Sequence, residues 1–303
     1  MSNPFAARLG PDGLCIFLFH GVVERRAHTI RNYNRKHLEA AEFRAILEAA
    51  LGRGPCLSMD QVVEHHLSRT PFPLRSFAIT FDDGFENNWS VARPILEELG
   101  LPAMVYVTTG FAEDNRMAWI DRIEWAVEQR PRGRLTLPWR EAPAAYDGVA
   151  ESIALLDEIR QRVKRDPRLD PDAVASDLQR QCGLPETWSG DDPLDRKLTW
   201  AQVRDMAAHP LFSVGGHSHR HSVLALLPPA RLEEEVGMSI RLLRERAGVV
   251  SRHYAYPEGL PYAYSAEVIG VLRGHGIVCC PTAEDGLNTP DTDLFHLKRL
   301  LVM

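Results

Sequence analysis

The sequence predicts an α/β fold, a deformed seven-stranded (β/α) barrel that carries a helical insertion. Short apolar runs alternate with stretches of helical periodicity, which is typical of successive β-α units and a parallel sheet or barrel. Seven apolar runs occur, at 14–19, 77–81, 103–108, 212–216, 253–256, 277–280 and 295–302. One connection, between the third run and the fourth, is far longer than a single crossover helix requires.

The connecting segments predict helices with defined ends. Ser265 can cap a helix that carries Val268 and Leu272, and Gly248 is a stop signal for the helix before it. That earlier helix shows an apolar stripe at helical spacing, formed by Leu232, Val236, Ile240 and Leu243.

The long connection, about residues 113–197, is predicted to be a helical insertion over one mouth of the barrel. Apolar patterns indicate helices near 119–127, 153–163 and 173–178, separated by proline-rich and acidic turns. Because the barrel runs on both sides of this segment, residues 1–303 are predicted to form a single catalytic domain.

Composition limits the classes of partner and compartment. The net charge is −6 with no run of five basic residues, which argues against a nucleic-acid or anionic-membrane partner. We find no apolar stretch of signal-peptide length near the start and no membrane span. The five cysteines lack paired metal-site spacing, so free thiols and a cytoplasmic location are expected.

A first chemical motif stands at the end of the second apolar run. Asp82 and Asp83 follow the predicted strand directly, and Gly84 supplies a turn. Two neighbouring buried carboxylates need a cation or a bound proton, because like charges disfavour each other's ionised form. Taken alone, the motif fits a solvated Asp-Gly turn equally well.

A second motif follows the fourth apolar run, with His217, His219 and His221 within five residues. Positions four apart lie on one face of a helical turn, so His217 and His221 can bind one metal while His219 points elsewhere. A histidine-rich surface loop is the alternative. Together, one carboxylate and two histidines at strand ends predict a catalytic metal site with open positions, which suits hydrolysis of an amide or ester.

These two motifs, 80–84 and 217–221, resemble the first two motifs of the polysaccharide deacetylases, the carbohydrate esterase family 4 or NodB-homology group. The resemblance implies that Asp82 is the general base. It also implies that Asp83, His217 and His221 bind a divalent metal, with zinc favoured over cobalt or nickel.

The third motif of that family, Arg-x-Pro-Tyr-Gly, has a partial counterpart at 255–259. Ala255 replaces the arginine that steadies the catalytic aspartate, and Glu258 replaces the aromatic residue. The resemblance places Tyr256, Pro257 and Glu258 at the substrate, with the backbone N–H after the proline as an oxyanion donor.

The family's Leu-x-His motif, which supplies the general acid, occurs twice and ends at His20 and at His296. His20 is preferred because it ends a strand at the edge where barrel active sites collect. An N-terminal position for this histidine resembles the circularly permuted members, such as the biofilm poly-N-acetylglucosamine deacetylases.

Two further residues are assigned to the site. On one strand His296 and Arg299 point to opposite faces. If Arg299 points inward it can replace the missing arginine beside Asp82; an ordinary surface arginine is the alternative. Trp119 can stack on a sugar, or simply pack its helix.

The predicted function is a metal-dependent hydrolase that removes an N-acetyl group from an amino sugar in a surface-glycan precursor or glycoconjugate. A precursor is favoured because finished cell-wall polymers are usually deacetylated outside the cytoplasm. Three alternatives stay open: a deformylase or cyclic-amide hydrolase on the same scaffold, a non-catalytic carbohydrate-binding protein, and a non-haem iron oxygenase, which also uses two histidines and one carboxylate.

Overall fold

A computed structural model describes residues 4–11 and 13–303. Its strands are β1 (Cys15–Phe19), β2 (Gly21–Val23), β3 (His37–Glu39), β4 (Phe77–Phe81), β5 (Ala103–Val107), β6 (Arg132–Leu135), β7 (Ala144–Asp147), β8 (Phe212–Gly216) and β9 (Leu300–Leu301). Its α-helices are α1 (Ala40–Leu51), α2 (Met59–Ser68), α3 (Arg93–Leu99), α4 (Thr109–Asp114), α5 (Trp119–Gln129), α6 (Val149–Arg165), α7 (Pro171–Gln181), α8 (Trp200–Ala208), α9 (Pro229–Ala247) and α10 (Ala266–Gly274). Short 3₁₀ turns lie at Ala6–Arg8 and Leu224–Leu226, and a π-helical turn lies at Asn88–Ala92.

The core of the molecule is a parallel sheet in the order β8-β5-β4-β1-β9. All residues of β1, β4 and β5 are buried, as expected for parallel strands with both faces covered. The predicted α/β class with a parallel sheet is therefore confirmed.

Three of the seven predicted runs are less regular than expected. The runs at 253–256 and 277–280 join the sheet through isolated parallel bridges, Gly216 with Tyr254 and His253 with Cys279. Only Leu300–Leu301 of the last run is a strand. Loop contacts replace a ladder here, since Cys280 N–H donates to Leu294 O (2.9 Å). A closed seven-stranded barrel stays a prediction.

The long connection contains more than helices. Helices α5, α6 and α7 correspond to the three predicted segments, but β6 and β7 form an antiparallel hairpin that was not predicted. These elements share an apolar core of their own, in which Ile123, Leu156 and Leu178 are almost fully buried. Strands β2 and β3 form a second unpredicted pair, which is parallel. Strand β2 directly follows β1.

Local signals at the helix ends agree with the structure. Helix α9 ends at Gly248, whose φ of 69° is left-handed. The Ser265 side chain accepts a hydrogen bond from Val268 N–H and so caps α10. Each of the five cysteines lies in the described part of the chain and is unpaired. Among the described residues, no helix combines the length and apolar character that a membrane span needs.

Candidate active site

The parallel sheet brings three of the predicted residues to one edge. His20, Asp82 and His217 directly follow β1, β4 and β8, and the carboxyl ends of parallel strands meet at the same edge. Backbone bonds fix this register, since Asp82 N–H donates to Phe19 O and His217 N–H donates to Val107 O, each at 3.0 Å.

The Asp82 carboxylate is held by Arg299. Both side chains are buried, and the guanidinium donates to the two carboxylate oxygens at 2.8 Å each. Arg299 also donates to Thr282 O at 2.6 Å, so its own position is fixed. Burial raises the pKa of Asp82, but the guanidinium outweighs it and the pKa stays below its usual value. Asp82 is thus ionised and oriented, as a general base requires.

The neighbouring Asp83 has a different environment. Its Oδ1 atom is buried and makes no hydrogen bond to any described residue. His221 Nε2 lies 3.1 Å away and His217 Nε2 lies 3.5 Å away. Ligand atoms of these three residues all fall within 4.8 Å of one another, and no other such cluster occurs among the described residues.

The protonation states of His217 and Asp83 suit a divalent cation. His217 Nδ1 faces Ala255 O at 2.8 Å, so this nitrogen donates and Nε2 presents a lone pair. Burial lowers the pKa of His217, which keeps the ring neutral. Burial opposes ionisation of Asp83, but His221 outweighs it and holds the Asp83 pKa well below its usual value, while Asp83 in turn raises the pKa of His221. An unpaired carboxylate oxygen and a neutral imidazole are what a metal site requires.

The two histidines do not converge through a helical turn, so that part of the prediction is wrong. The segment after β8 is an irregular loop, in which Ser218 (φ 62°) and His221 (φ 59°) are left-handed. Asp83 is also left-handed, with a φ of 74°. His219 does point elsewhere, because its Nδ1 lies 3.0 Å from the Thr109 hydroxyl.

The two candidates for the general acid differ in position. His20 lines the same cavity as Asp82 and Asp83, and its buried Nδ1 has no hydrogen-bond partner among the described residues. Burial lowers its pKa to about 4, so the ring is neutral before substrate binds. His296 is half exposed and contacts Asp293, away from this cavity.

The third motif contributes less than predicted. The Tyr256 side chain is fully buried and its hydroxyl donates to Phe295 O at 3.2 Å, while Pro257 is buried outside the cavity. Neither side chain lines the cavity, and a role of these two residues at the substrate stays a prediction. Glu258 does line the cavity, with a left-handed φ of 65°, and pairs with Lys164 at 2.6 Å.

The insertion closes one side of the cavity, which has a volume of about 280 Å³. Trp119 lines it, as the sugar-stacking hypothesis requires, and Arg160 and Lys164 of α6 lie beside it. Asn34 and Lys36 reach it from the segment before β3. No motif or periodic pattern in the sequence marks these four polar residues.

Comparison with known proteins decides the family. A family model described as polysaccharide deacetylase matches residues 69–279, which is more than half of the chain. The chain belongs to the polysaccharide deacetylase family. The resemblance inferred from the two motifs is confirmed, and membership indicates a hydrolase that deacetylates carbohydrate.

Solved structures of deacetylases share the fold of this family member. IcaB from Ammonifex degensii is 19% identical, with 97% of this chain and 93% of that chain covered and a TM-score of 0.61. The deacetylase PplD of Streptococcus pyogenes, solved with acetate, is 16% identical over 97% and 93%, with a TM-score of 0.59. The BpsB deacetylase domain from Bordetella bronchiseptica is 19% identical over 96% of each chain, with a TM-score of 0.57. No curated protein matches the sequence.

Proposed function

We propose that this deacetylase is metal-dependent and removes the N-acetyl group from an amino sugar in a surface-glycan precursor or glycoconjugate. The observation that carries the proposal is the buried Asp83 Oδ1, which faces His221 Nε2 at 3.1 Å and His217 Nε2 at 3.5 Å. Zinc fits this donor set best, since one carboxylate and two imidazoles leave open positions for water and substrate. Cobalt and nickel are the other candidates.

The chain's own residues can then be given roles. An ion held by Asp83, His217 and His221 would polarise the acetyl carbonyl and make water more acidic. Asp82 accepts the proton of the water that attacks the carbonyl carbon. The backbone N–H of Glu258 would donate to the oxyanion.

His20 takes up a proton from solvent during the reaction and donates it to the sugar nitrogen as the C–N bond breaks. Acetate and a free amine are released, and Asp82 passes the proton that it accepted to solvent. His20 is neutral in the free protein because burial lowers its pKa to about 4. Negative charge that develops on the substrate raises the pKa of a nearby imidazole, so we expect His20 to become charged only during the reaction. Trp119 would support the sugar ring from the insertion.

We also propose a barrel shape and a cytoplasmic location for this enzyme. The seven parallel segments would enclose the base of the cavity as a deformed barrel. Free cysteines, four of which are buried, fit a reducing compartment, so we place the enzyme in the cytoplasm. Cell fractionation tests the location.

The experiment that tests the activity is acetate release from N-acetylated sugars, nucleotide sugars and chitooligosaccharides. We expect Asp82→Asn to lose most activity, on the order of 10²–10⁴-fold, and still bind metal. His217→Ala should lose both activity and metal. His219→Ala is the matched control, because this histidine belongs to the same motif but lies outside the metal cluster.

Other outcomes would favour the alternatives. Release of formate, or opening of a cyclic amide, would keep the site and change the substrate class. Sugar binding without turnover in the metal-loaded wild type would indicate a binding protein, and oxygen-dependent turnover an oxygenase. If no divalent ion binds, the proposal is wrong.

A further inference from the structure

A lysine that the proposed mechanism does not use lies on the wall of the catalytic cavity. Lys36 precedes β3 and lines the cavity together with Asp82 and Asp83. Only 14% of its side chain is exposed, and its Nζ donates to Asp121 Oδ1 at 2.6 Å. Asp121 belongs to α5, so this contact joins the sheet side of the cavity to the insertion.

Asp121 is shared by a second lysine. Lys197 Nζ lies 3.9 Å from Asp121 Oδ2, is completely buried, and makes no hydrogen bond to a described residue. It lies 3.7 Å from the centre of the Phe85 ring, which supplies a cation–π contact. Two ammonium groups therefore face a single carboxylate.

Each carboxylate near this trio has another partner, including Asp83, which attracts Lys36 but belongs to the proposed metal cluster. Glu124 accepts from Arg160 at 2.7 Å, and Asp195 accepts from the buried Arg31. The group of Lys36, Lys197 and Asp121 thus keeps one positive charge without a partner. A buried charge of this kind is costly unless something compensates it.

Of the two lysines, Lys36 is the one that can present this charge to a ligand. An ammonium group has three donors, and Asp121 takes the only bond of Lys36 Nζ to a described residue. The other cations of the cavity have partners one to one, Arg160 with Glu124 and Lys164 with Glu258. The Lys197 side chain does not line the cavity.

We propose that Lys36 binds an anionic group, a phosphate or a carboxylate, on the N-acetylated sugar, with Asp121 as its positioning residue. This inference rests on the proposed function and narrows its substrate to a charged amino sugar. An ammonium group at a cavity wall recognises such a group as a point charge with free donors. The substrate anion would complete the charge balance of the trio.

The test compares one neutral and two anionic probes on the metal-loaded full chain. N-acetylglucosamine is neutral, its 1-phosphate carries a phosphate, and N-acetylmuramic acid carries a carboxylate. Lys36→Met should raise KM about tenfold for the preferred anionic probe, the loss expected for one charge-assisted hydrogen bond. We expect kcat to change little, KM for the neutral sugar to stay the same, and Lys36→Arg to keep the preference.

Lys298→Met is the matched control, because it removes the same charge from an exposed lysine outside the cavity. The anionic probe that loses affinity identifies the group as phosphate or carboxylate. The inference is overturned if Lys36→Met weakens the neutral and anionic probes equally, or if the wild type does not prefer an anionic probe.

Binding separates this inference from the proposed function. Calorimetry of the same probes with the Asp82→Asn protein needs no turnover. If no probe is hydrolysed but an anionic sugar binds through Lys36, the acyl group or reaction is wrong and the anion site stands. If hydrolysis occurs and Lys36→Met does not change the affinity for either anionic probe, the proposed function stands and the anion site is wrong.

Discussion

Two clusters of charged side chains border the catalytic cavity, one at Asp82 and one at Lys36. Each contains positive and negative groups, but the charges are balanced differently. The Arg299–Asp82 pair is one to one and bidentate, with every carboxylate oxygen engaged at 2.8 Å. In the trio of Lys36, Lys197 and Asp121, one carboxylate serves two cations. The charges of the Arg299–Asp82 pair are balanced in the free protein. The trio keeps a hydrogen-bond donor that is free to bind a ligand.

This difference indicates different tasks. A base must be ionised and oriented before substrate arrives, so its counter-charge belongs to the protein. A recognition site gains affinity when the ligand supplies the missing charge. Substitutions that remove members of the two groups in turn should separate these tasks.

The largest effect is expected for Arg299→Met. Asp82 would be a buried carboxylate without a partner, which typically costs about 3–5 kcal/mol of stability. The pKa of Asp82 should rise, so the acid limb of the pH–rate profile moves to higher pH and activity at neutral pH falls. Urea unfolding and a pH–rate profile measure the two effects.

Arg299→Lys serves as the control for charge alone. A single ammonium cannot reproduce a bidentate contact, so only part of the loss should be recovered. If Arg299→Met has the same stability and the same pH–rate profile as the wild type, the pair does not fix the base.

A smaller loss is expected for Asp121→Asn, about 1–3 kcal/mol in urea unfolding. Both ammonium groups lose their carboxylate, but Lys197 can lose its proton, because burial already lowers its pKa to about 8. In Arg299→Met, Asp82 cannot lose its charge as easily at neutral pH. A loss in Asp121→Asn that exceeds the loss in Arg299→Met would contradict this ranking.

A pH dependence of stability belongs to Lys197. Its pKa is about 8 in the folded protein against 10.5 ordinarily, with burial as the main cause. Between these values the unfolded chain binds a proton that the folded chain does not, so stability rises with pH over this window. Lys197→Met should remove this rise. The free energies of unfolding of the wild type and of the variant, measured from pH 7.5 to about 10.5, should therefore differ by an amount that changes with pH.

The sequence was sufficient for the residues that belong to motifs and insufficient for those defined by long-range contacts. Asp82, Asp83, His217 and His221 follow apolar strands, and strand ends of a parallel sheet meet at one edge. Arg299 could be anticipated because the third motif lacks its arginine. Lys36 could not, since it meets Asp121 across 85 positions and no local pattern marks either residue.

Other differences from the predictions have local causes. The predicted helical turn fails because His221 has a left-handed φ, which helical spacing does not anticipate. Tyr256 was assigned to the substrate from its motif position, but the Phe295 carbonyl satisfies its hydroxyl inside the core. The β6–β7 hairpin lies in a segment without clear alternation, so only its flanking helices were predicted.

The left-handed backbone at Asp83, Ser218, His221 and Glu258 has a consequence for the stability of this enzyme. Each such position costs of order 1–3 kcal/mol relative to ordinary backbone, and only glycine is free of this cost. Two of the four positions, Asp83 and His221, need a functional side chain, so glycine cannot relieve them without loss of chemistry. The rest of the fold must therefore supply the stability that offsets these turns, and a variant that no longer needs the metal ligands could regain it with glycine at both positions.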